Sequence, residues 1–428
     1  MIDQLPPGMI LMLGALLVPV LRGRVLRAYM LALPLLGLWQ LWQLPLGHTT
    51  ALTIMGYTLT PVRVDGLSRI FGTIFQLNAV LAITFALHVK DRVQHVASLM
   101  YMGSAVAAAF AGDLITLFVY WEITAATSVF LIWARRSERS YRAGMRYLII
   151  QVSSGLLLLA GAVVHVTETG SIAFGKLGLD GGVGTTLIFL AFGIKAAFPL
   201  LNNWLQDAYP EATVTGSVFL SAYTTKLAIY ALARGYAGTE ILIPIGAAMT
   251  AFPIFYAVIE NDLRRVLAYS LNNQLGFMIV GIGIGTELSI NGTCAHAFAH
   301  ILYKSVLFMS MGAVLYRAKT INGSDLGGLY HRMPWTTTFC VIGAASISAF
   351  PLTSGFVTKS MIMSAAAGGH HTITYLILLF ASAGVFHHSG IKIPFFAFFG
   401  HDHGVGKKED VTEAPLNMLI AMGAVAFL

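Results

Sequence analysis

Apolar runs of about 20 residues, separated by short polar loops, follow one another from residue 7 to the end of the sequence. The run "LITLFVYWEITAATSVFLIW" at 114–133 contains a single charged residue. Only 11% of the 428 residues are charged, whereas soluble domains carry about a quarter. In lipid a segment must satisfy its own backbone hydrogen bonds, so these runs predict transmembrane helices. We therefore predict an all-α polytopic membrane protein without a separate soluble domain.

Hydropathy predicts about 14 transmembrane helices. The predicted spans are 7–22, 26–46, 66–89, 95–111, 114–134, 143–166, 184–208, 213–233, 239–259, 266–285, 289–316, 335–364, 371–399 and 414 onward. The last apolar run is still in progress at Leu428, and we expect the native chain to continue.

Basic residues are distributed unevenly between the predicted loops. Even-numbered loops hold only Arg63, Lys176 and Arg234. By the positive-inside rule the basic odd-numbered loops are cytoplasmic and the N-terminus faces outward. The net charge of +7 is explained by these loops and needs no nucleic acid. Odd-numbered loops hold Arg22, Arg24, Arg27, Lys90, Arg92, Arg135, Arg136, Arg139, Arg142, Arg264, Arg265, Arg317, Lys319, Arg332, Lys407 and Lys408.

Two near-identical stretches indicate an internal repeat. "AAFPL" at 196–200 and "SAFPL" at 348–352 are 152 residues apart, and "GAV" recurs at 161–163 and 312–314. They fall in corresponding helices of two five-helix units, helices 4–8 (95–233) and 9–13 (239–399). Because five is odd, the second unit enters the membrane from the opposite side, as in inverted-repeat transporters. Helices 1–3 (1–94) precede the units, and a cytoplasmic loop with the start of helix 14 (400–428) follows.

Pro199 and Pro351 are predicted to break helices 7 and 12. A proline inside a helix removes a backbone hydrogen bond and clashes with the preceding turn. In a membrane the freed carbonyl needs protein or water as a partner. Each break is therefore either an ordinary proline kink or the unwound centre of an ion path, and the pairing favours the second interpretation.

Five ionisable residues lie well inside predicted spans: Glu122, Lys195, Lys226, Lys304 and Lys359. Each charge at the centre of a bilayer costs about 2.5–3.5 kcal/mol, so these side chains should face the protein interior and mark an ion path. A desolvated Lys can titrate near neutrality, which Arg cannot do. Structural alternatives remain: Glu122 as a hydrogen-bonded carboxylate, and Lys195 as a donor to carbonyls freed at the first break.

Histidines add to this pattern in "AHAFAHILYKSVLF". His296, His300 and Lys304 are spaced at i, i+4 and i+8, which places them on one stripe of a helix. Because His changes charge near neutral pH, the stripe indicates a proton relay. Core packing and a metal pair are the alternatives, although no acidic third ligand is close in sequence, and we predict no metal site.

The remaining histidines, including the pairs at 387–388 and 401 and 403, are interpreted as solvated helix ends or loops. Lys392 is placed near a helix end. No Walker motif, nucleophile elbow, or quinone- or haem-specific pattern is present. We therefore predict neither a catalytic site nor a bound cofactor.

Several stretches together identify a family. The chain resembles the antiporter-like, proton-pumping membrane subunits shared by respiratory complex I and the multisubunit Mrp cation/proton antiporters, most closely the D-type Mrp subunit. The resemblance covers nearly the whole chain. The stretches that show it are "VRVDGLSRIF", "YWEITAATS", "GIKAAFPLLNNWLQDAYPEATVTGSVFLSAYTTKLAIYALAR", "LRRVLAYSLNNQLGFM", "HAFAHILYKSVLF", "DLGGLYHRMP", "FPLTSGFVTKSMI" and "HHSGIKIPFFAFFG".

The resemblance implies roles for the charged residues of the first unit. Glu122 corresponds to the family's fifth-helix glutamate and Lys195 to the seventh-helix lysine that pairs with it. Lys226 corresponds to the eighth-helix lysine that passes protons toward the centre.

In the second unit, the resemblance implies that His296, His300 and Lys304 form the central relay of the eleventh helix. Lys359 corresponds to the twelfth-helix lysine at the far exit. Family members use this row of charges, with water, as a proton path halfway through the membrane.

The expected function is therefore proton translocation by a subunit of a multisubunit Na⁺/H⁺ antiporter in a bacterial inner membrane. Expected partners are the other subunits, the lipid bilayer, protons and Na⁺. The chain itself is expected to be a transporter subunit and not an enzyme, unless it serves a complex I-type NADH:quinone oxidoreductase. The alternatives are a subunit of a redox-driven pump or of a bicarbonate-uptake complex, and a scaffold that moves no protons.

Overall fold

The computed structural model describes residues 4–54, 56–405 and 411–428 and is almost entirely helical. Lys407 and Lys408, predicted to be cytoplasmic, lie outside the described residues. The helices are α1 (Met9–Ala15), α2 (Gly23–Gln43), α3 (Gly66–Ala86), α4 (Arg92–Phe110), α5 (Leu114–Trp133), α6 (Glu138–Thr169), α7 (Val183–Lys195), α8 (Asn203–Ala208), α9 (Gly216–Ala222), α10 (Thr224–Gly235), α11 (Leu242–Ile259), α12 (Leu263–Ile284), α13 (Glu287–Ala318), α14 (Pro334–Ile347), α15 (Ser354–Gly368), α16 (Thr372–Val385), α17 (Lys392–Pro394) and α18 (Leu416–Phe427).

Nine helices among the described residues are long and apolar enough to cross a membrane. They are α2–α6, α11–α13 and the continuous helix Thr372–Phe399, which contains α16, α17 and the π-helical stretches Phe386–Ile391 and Phe395–Phe399. Buried residues make up 89% of the apolar windows of α12 and α13 but 33% of that of α2, so α12 and α13 form the centre of the fold. The chain is thus a helical, multi-pass membrane protein, and the count of 14 spans stays a prediction.

The prediction of an all-α chain is wrong between α2 and α3. There β1 (Thr49–Ile54) pairs antiparallel with β2 (Tyr57–Arg63). Gly56 at the turn has a φ of 83°, which favours glycine. The strands are rich in β-branched residues, which favour strands, but each is too short to register as a span. The hairpin is tied to the start of α5, where the Thr60 N–H donates to Asp113 at 2.7 Å.

The first predicted span is also shorter than expected. The sequence predicts one helix over residues 7–22, but α1 ends at Ala15 and continues as hydrogen-bonded turns to Val20. Pro19 lies within these turns, and since it has no N–H to donate it disfavours a continued helix.

Two long helices, one in each half of the chain, match closely. Helices α6 and α13 both have 32 residues. Each begins at a hydroxyl N-cap, Ser137 or Thr286, whose side chain accepts a bond from the N–H three residues later. Each ends at a left-handed residue, Gly170 or Lys319. Since caps set the helix ends, similar local sequence produces two equivalent helices.

The connections around these helices match as well. Asp113 caps α5 and forms an isolated bridge with Ala173, which follows α6. Asp262 caps α12 and forms the same antiparallel bridge with Asn322, which follows α13. We call residues 92–235 the N-terminal unit and residues 242–399 the C-terminal unit. The "GAV" copies are not equivalent within these units, because Gly161 packs on α7 while Gly312 packs on Val214 and Phe85.

Candidate functional site

The two proline breaks have the same backbone shape. In the first break Ala197 and Leu200 have φ values of 62° and 69°. In the second, Ala349 and Leu352 have φ values of 57° and 71°. Left-handed backbone is unfavourable for residues with a Cβ, so its recurrence at both positions of both breaks indicates a specified conformation.

The hydrogen bonds at the two breaks correspond too. The Phe198 N–H donates to the Gly193 carbonyl at 3.0 Å, and the Phe350 N–H donates to the Ala345 carbonyl at 3.0 Å. Both bonds span five residues and close a widened last turn, as helix C-terminal motifs do. The repeated "AFPL" sequence therefore produces one backbone motif twice.

Different side chains bond to backbone carbonyls at the two breaks. Pro351 lacks an N–H, and the Ile347 carbonyl four residues earlier instead accepts a bond from Lys359 Nζ at 2.7 Å. At the first break Trp204 Nε1 donates to the Ile194 carbonyl at 3.1 Å. Lys359 is thus a structural donor to its own helix break as well as an intramembrane charge.

Lys195 is the last residue of α7 and is fully buried. Its Nζ donates to the Trp121 carbonyl on α5 at 3.0 Å and lies 4.1 Å from the centre of the Trp121 ring. No salt bridge joins Lys195 and Glu122 among the described residues, although each of the two charges acts on the other electrostatically. The pairing that the resemblance implies stays a prediction.

Glu122 is half-buried and points at α6. A Cβ added at Gly155 would overlap its carboxylate, so the missing side chain makes room for the acid. The Glu122 Oε1 atom is buried without a hydrogen-bond partner among the described residues. Next to it, Trp121 Nε1 donates to Ser154 Oγ at 3.0 Å and fixes the orientation of α5 against α6.

A third helix break, which the sequence analysis missed, separates α9 from α10 at Tyr223. No proline marks it. Lys226, fully buried, donates from Nζ to the Ser221 carbonyl at 2.5 Å. The Thr224 N–H donates to the Tyr101 hydroxyl at 3.0 Å. The predicted continuous eighth helix is therefore interrupted beside its lysine, and its freed groups bond to side chains.

His296, His300 and Lys304 are fully buried along α13. The two imidazole rings lie 6.1 Å apart with an interplanar angle of 20°. His296 Nδ1 is 2.8 Å from Thr358 Oγ1, and Thr358 precedes Lys359. Lys304 Nζ has no hydrogen-bond partner among the described residues. The stripe predicted from spacing therefore exists and leads toward Lys359.

Helix α12, next to this stripe, contains buried amide side chains to which the sequence analysis assigned no function. Tyr303 donates to Gln274 at 3.1 Å, Gln274 donates to Asn273 at 2.6 Å, and Asn273 donates to the Thr250 carbonyl at 2.5 Å. The signal was visible, because "LNNQL" places three consecutive amides inside an apolar helix. Buried polar groups of this kind need partners, and they link α11, α12 and α13.

The interpretation of His388 as a solvated helix end is wrong. Its side chain is fully buried, because the stretch Phe386–Ile391 of the continuous helix Thr372–Phe399 packs against α12 and α14. The wider π turn of Phe386–Ile391 sets the direction of the side chain. Lys392, placed near a helix end, lies in the same continuous helix.

A metal is not supported by the ligands at hand. Within the described ranges no group of three His, Cys, Asp or Glu side chains could hold one. His296 and His300 therefore lack a third ligand of the usual kind there.

Comparison with known proteins places these features in context. The family model described as "NADH:quinone oxidoreductase/Mrp antiporter, TM" matches residues 111–387. Hydrogenase-4 component B of Escherichia coli (strain K12) is 28% identical over 288 residues, which cover 61% of this chain and 43% of the relative. The D component of the Na⁺/H⁺ antiporter of Alkalihalophilus pseudofirmus is 29% identical over 309 residues, which cover 68% of this chain and 62% of the relative. The chain spans about half the length of the curated relatives it matches.

The fold is also similar to a solved structure. One protein of the Mrp complex from Dietzia sp. DQ12-45-1b superposes with a TM-score of 0.87 and 20% identity. The match covers 99% of this chain and 92% of that protein. At this identity the likeness shows the fold.

Proposed function

The chain belongs to the NADH:quinone oxidoreductase/Mrp antiporter family, and on that premise we propose that it is a proton-translocating subunit of a multisubunit Na⁺/H⁺ antiporter. The proposal assigns proton transfer to the charged row. The charged row comprises Glu122, Lys195, Lys226, His296, His300, Lys304 and Lys359.

One observation carries the proposal: the lysines and histidines of the row are buried in both units. Its lysines and histidines are each at most 1% exposed. Charges in such surroundings are costly, and the row holds them beside helix breaks and polar networks. Lys and His can gain and lose protons there, whereas a permanent charge could not. A proton arriving at one member then changes the electrostatic energy of the next.

We further propose that the two units are inverted repeats within a bundle of 14 helices. The matched breaks, the equal lengths of α6 and α13 and the two isolated bridges support this arrangement. In this arrangement helices 4–8 and helices 9–13 each provide a half-channel, and the N-terminus faces outward in a bacterial inner membrane. Its partners are the other subunits of the assembly.

The test is antiport by the complete assembly in everted membrane vesicles. Glu122→Ala or Lys195→Ala should abolish cation-dependent collapse of the pH gradient, while the assembly still forms on native gels. The exposed Lys176 provides a matched control, and Lys176→Ala should transport normally. Wild-type antiport in both row variants would reject proton transfer through the row and leave the scaffold alternative.

A second candidate is a subunit of a redox-driven pump, and the similarity to a hydrogenase component favours it. The two candidates differ in their energy source. Proton movement that requires an added Na⁺ gradient supports the antiporter. Proton movement that requires an electron donor and is indifferent to Na⁺ supports the redox-driven pump.

A further inference from the structure

Asn78 lies in α3, which precedes both units, and its side chain contacts each of them. Its Nδ2 donates to the Tyr223 hydroxyl at 3.3 Å, and its Oδ1 accepts a bond from Ser305 Oγ at 2.8 Å. Tyr223 marks the break between α9 and α10 in the N-terminal unit, and Ser305 follows Lys304 on α13 of the C-terminal unit. All three bonded side chains are fully buried. One amide therefore joins the two units through a helix that belongs to neither.

The hydrogen bonds of this bridge run in one fixed direction. The Tyr223 hydroxyl donates its only proton to the Phe75 carbonyl at 2.9 Å, so it accepts the bond from Asn78. Asn78 then presents its amino group to Tyr223 and its carbonyl oxygen to Ser305, whose hydroxyl donates. A proton relay needs groups whose bonds can reverse, and a chain that ends at a backbone carbonyl cannot reverse. The bridge is therefore suited to holding positions and not to carrying protons.

The bridge is anchored next to two lysines of the charged row. Lys226 lies in the first turn of α10, three residues after Tyr223, and its Nζ donates to the Ser221 carbonyl at the same break. Lys304 directly precedes Ser305, and its Nζ has no hydrogen-bond partner among the described residues. Buried polar groups whose hydrogen bonds are made hold a core in one arrangement. The bridge thus fixes the break beside Lys226 relative to the helix that carries Lys304.

Stability alone does not account for these three polar side chains. A buried hydrogen bond contributes only about 0.5–1.5 kcal/mol net, and apolar groups of the same shape can replace both partners at little cost. Most of the residues around Asn78 in α3 are apolar, so a leucine would suit its helix equally well. What the amide adds is a defined geometry between two helices that have no other link through α3.

We propose that Asn78 is a positioning residue that couples the Tyr223 break to α13, so that proton passage between Lys226 and Lys304 depends on both of its hydrogen bonds. The inference rests on the proposed function, because the positions of the two lysines matter for transport only if the row carries protons. Since the two bonds act in series, losing either one has the same consequence as losing both.

The experiment measures the initial rate of pH-gradient collapse by the complete assembly in everted vesicles, normalised to the assembled complex on native gels. Tyr223→Phe removes the partner of one bond and Ser305→Ala the partner of the other. Asn78→Leu removes both bonds at similar volume. Each variant should slow transport about threefold or more, within the range that coupling residues show.

The double variant Tyr223→Phe/Ser305→Ala tests whether the bonds act in series. It should be about as slow as either single variant and as Asn78→Leu. Rates that fall by the product of the two single effects would show two independent contacts and would overturn the proposal. This comparison of the hydroxyl variants remains decisive if Asn78→Leu fails to assemble.

A conservative variant separates positioning from packing. Ser305→Thr keeps the hydroxyl donor and adds a methyl group, whereas Ser305→Ala loses the donor and adds nothing. If the hydrogen bond matters, Ser305→Thr should transport at close to the wild-type rate while Ser305→Ala stays slow. If Ser305→Thr is no faster than Ser305→Ala, the residue acts by packing and the proposal is wrong.

Asn417 provides the matched control. Its Nδ2 also bonds to α3, donating to the carbonyls of Thr84 and Phe85 at 3.1 and 2.9 Å. Asn417 comes from α18, which lies outside both units. Asn417→Leu should therefore match the wild-type rate per assembled complex. A defect as large as that of Asn78→Leu would show that any amide bond to α3 has this effect, and would overturn the proposal.

The bridge can fail without the proposed function. If Lys304→Met stops transport while Tyr223→Phe and Ser305→Ala run at the wild-type rate, the bridge is wrong and the row stands. If Lys304→Met and Glu122→Ala transport normally as well, the proposed function itself fails.

Discussion

The N-terminal and C-terminal units share a backbone plan but distribute their ionisable side chains differently. Counted from the first residue of α6 and of α13, the relay residues His296, His300 and Lys304 take the places of Tyr147, Gln151 and Gly155. One helix therefore presents a titratable stripe where its counterpart presents a phenol, an amide and no side chain.

Helices α5 and α12, which precede α6 and α13, differ in the opposite way, because here the N-terminal unit has the charged residue. Counted the same way along α5 and α12, Glu122 takes the place of Leu271. In the N-terminal unit the acid comes from α5 and fills the space beside Gly155. In the C-terminal unit the charge comes from α13 as Lys304, and α12 contributes a leucine. The shared fold therefore fixes where a side chain can lie, whereas each unit supplies its own charge.

The largest expected effect comes from removing the charge that distinguishes α13. Lys304→Met keeps most of the side-chain volume but cannot carry a proton. We expect antiport to fall at least about 100-fold, as for the loss of a proton-transfer group. The measurement is the initial rate of pH-gradient collapse in everted vesicles, with Lys176→Met as the exposed control. Normal transport in Lys304→Met would show that the two units do not differ in function at this position.

Filling the space at the matching place in α6 should have the next largest effect. In Gly155→Ala the new Cβ overlaps the Glu122 carboxylate and forces it to move. Because the atoms that must move are the far end of a flexible side chain, we expect a loss of about 1 kcal/mol in stability, the low end for overpacked sites, and slower antiport. Thermal unfolding of the purified assembly, followed by intrinsic fluorescence, measures the stability.

Gly368 is the matched control for that prediction. It is helical and has open space where a Cβ would stand, so Gly368→Ala should be neutral or slightly stabilising. Equal unfolding temperatures for the two variants would contradict the packing of Glu122 against Gly155.

The sequence was sufficient to predict the helical membrane fold, both proline breaks and the stripe on α13. These features depend on local patterns, namely apolar run length, proline chemistry and a spacing of four residues. The hairpin at 49–63 was missed because each of its strands is too short to register as a span, and the break at Tyr223 was missed because no proline marks it.

Side-chain direction was harder to predict than position. Whether Lys195 reaches the Glu122 carboxylate or the adjacent Trp121 carbonyl depends on the rotation of α5 against α7, which spacing does not encode. The predicted span 371–399 contains His388, but hydropathy does not show which face of that helix packs against α12 and α14, so its burial was missed. Tertiary packing decides both features.

The two breaks offer a smaller test of equivalence. Ala197 and Ala349 both hold left-handed backbone, which glycine adopts without a Cβ clash. Ala197→Gly and Ala349→Gly should each stabilise the assembly by about 0.5–1 kcal/mol, the strain relieved less the entropy cost of glycine. Matching shifts of the unfolding midpoint in detergent would support one backbone motif, and opposite shifts would show that the two breaks are not equivalent.

The smallest effect concerns an anchor at the end of the N-terminal unit. Arg234, in the last turn of α10, donates to both oxygens of Asp65 at 2.8 Å. Burial alone would raise the pKa of Asp65, but hydrogen bonding and the charge of Arg234 outweigh it and hold the pKa below its usual value. At the end of the C-terminal unit Lys392 instead bonds to backbone carbonyls.

This difference predicts that only the anchor of the N-terminal unit contributes stability that is lost in acid. Because the folded-state pKa of Asp65 is lowered, its contribution is complete above the unfolded pKa of about 4 and is lost as the pH falls through the folded value. Asp65 is partly exposed, so solvent screening limits the contribution to about 1 kcal/mol or less. In Asp65→Asn the side-chain oxygen can still accept the Ser68 N–H, so the cap of α3 is kept while the charge is removed. The unfolding midpoint of this variant should therefore fall less steeply in acid than that of the wild type, and identical slopes would show that the anchor contributes no charge-dependent stability.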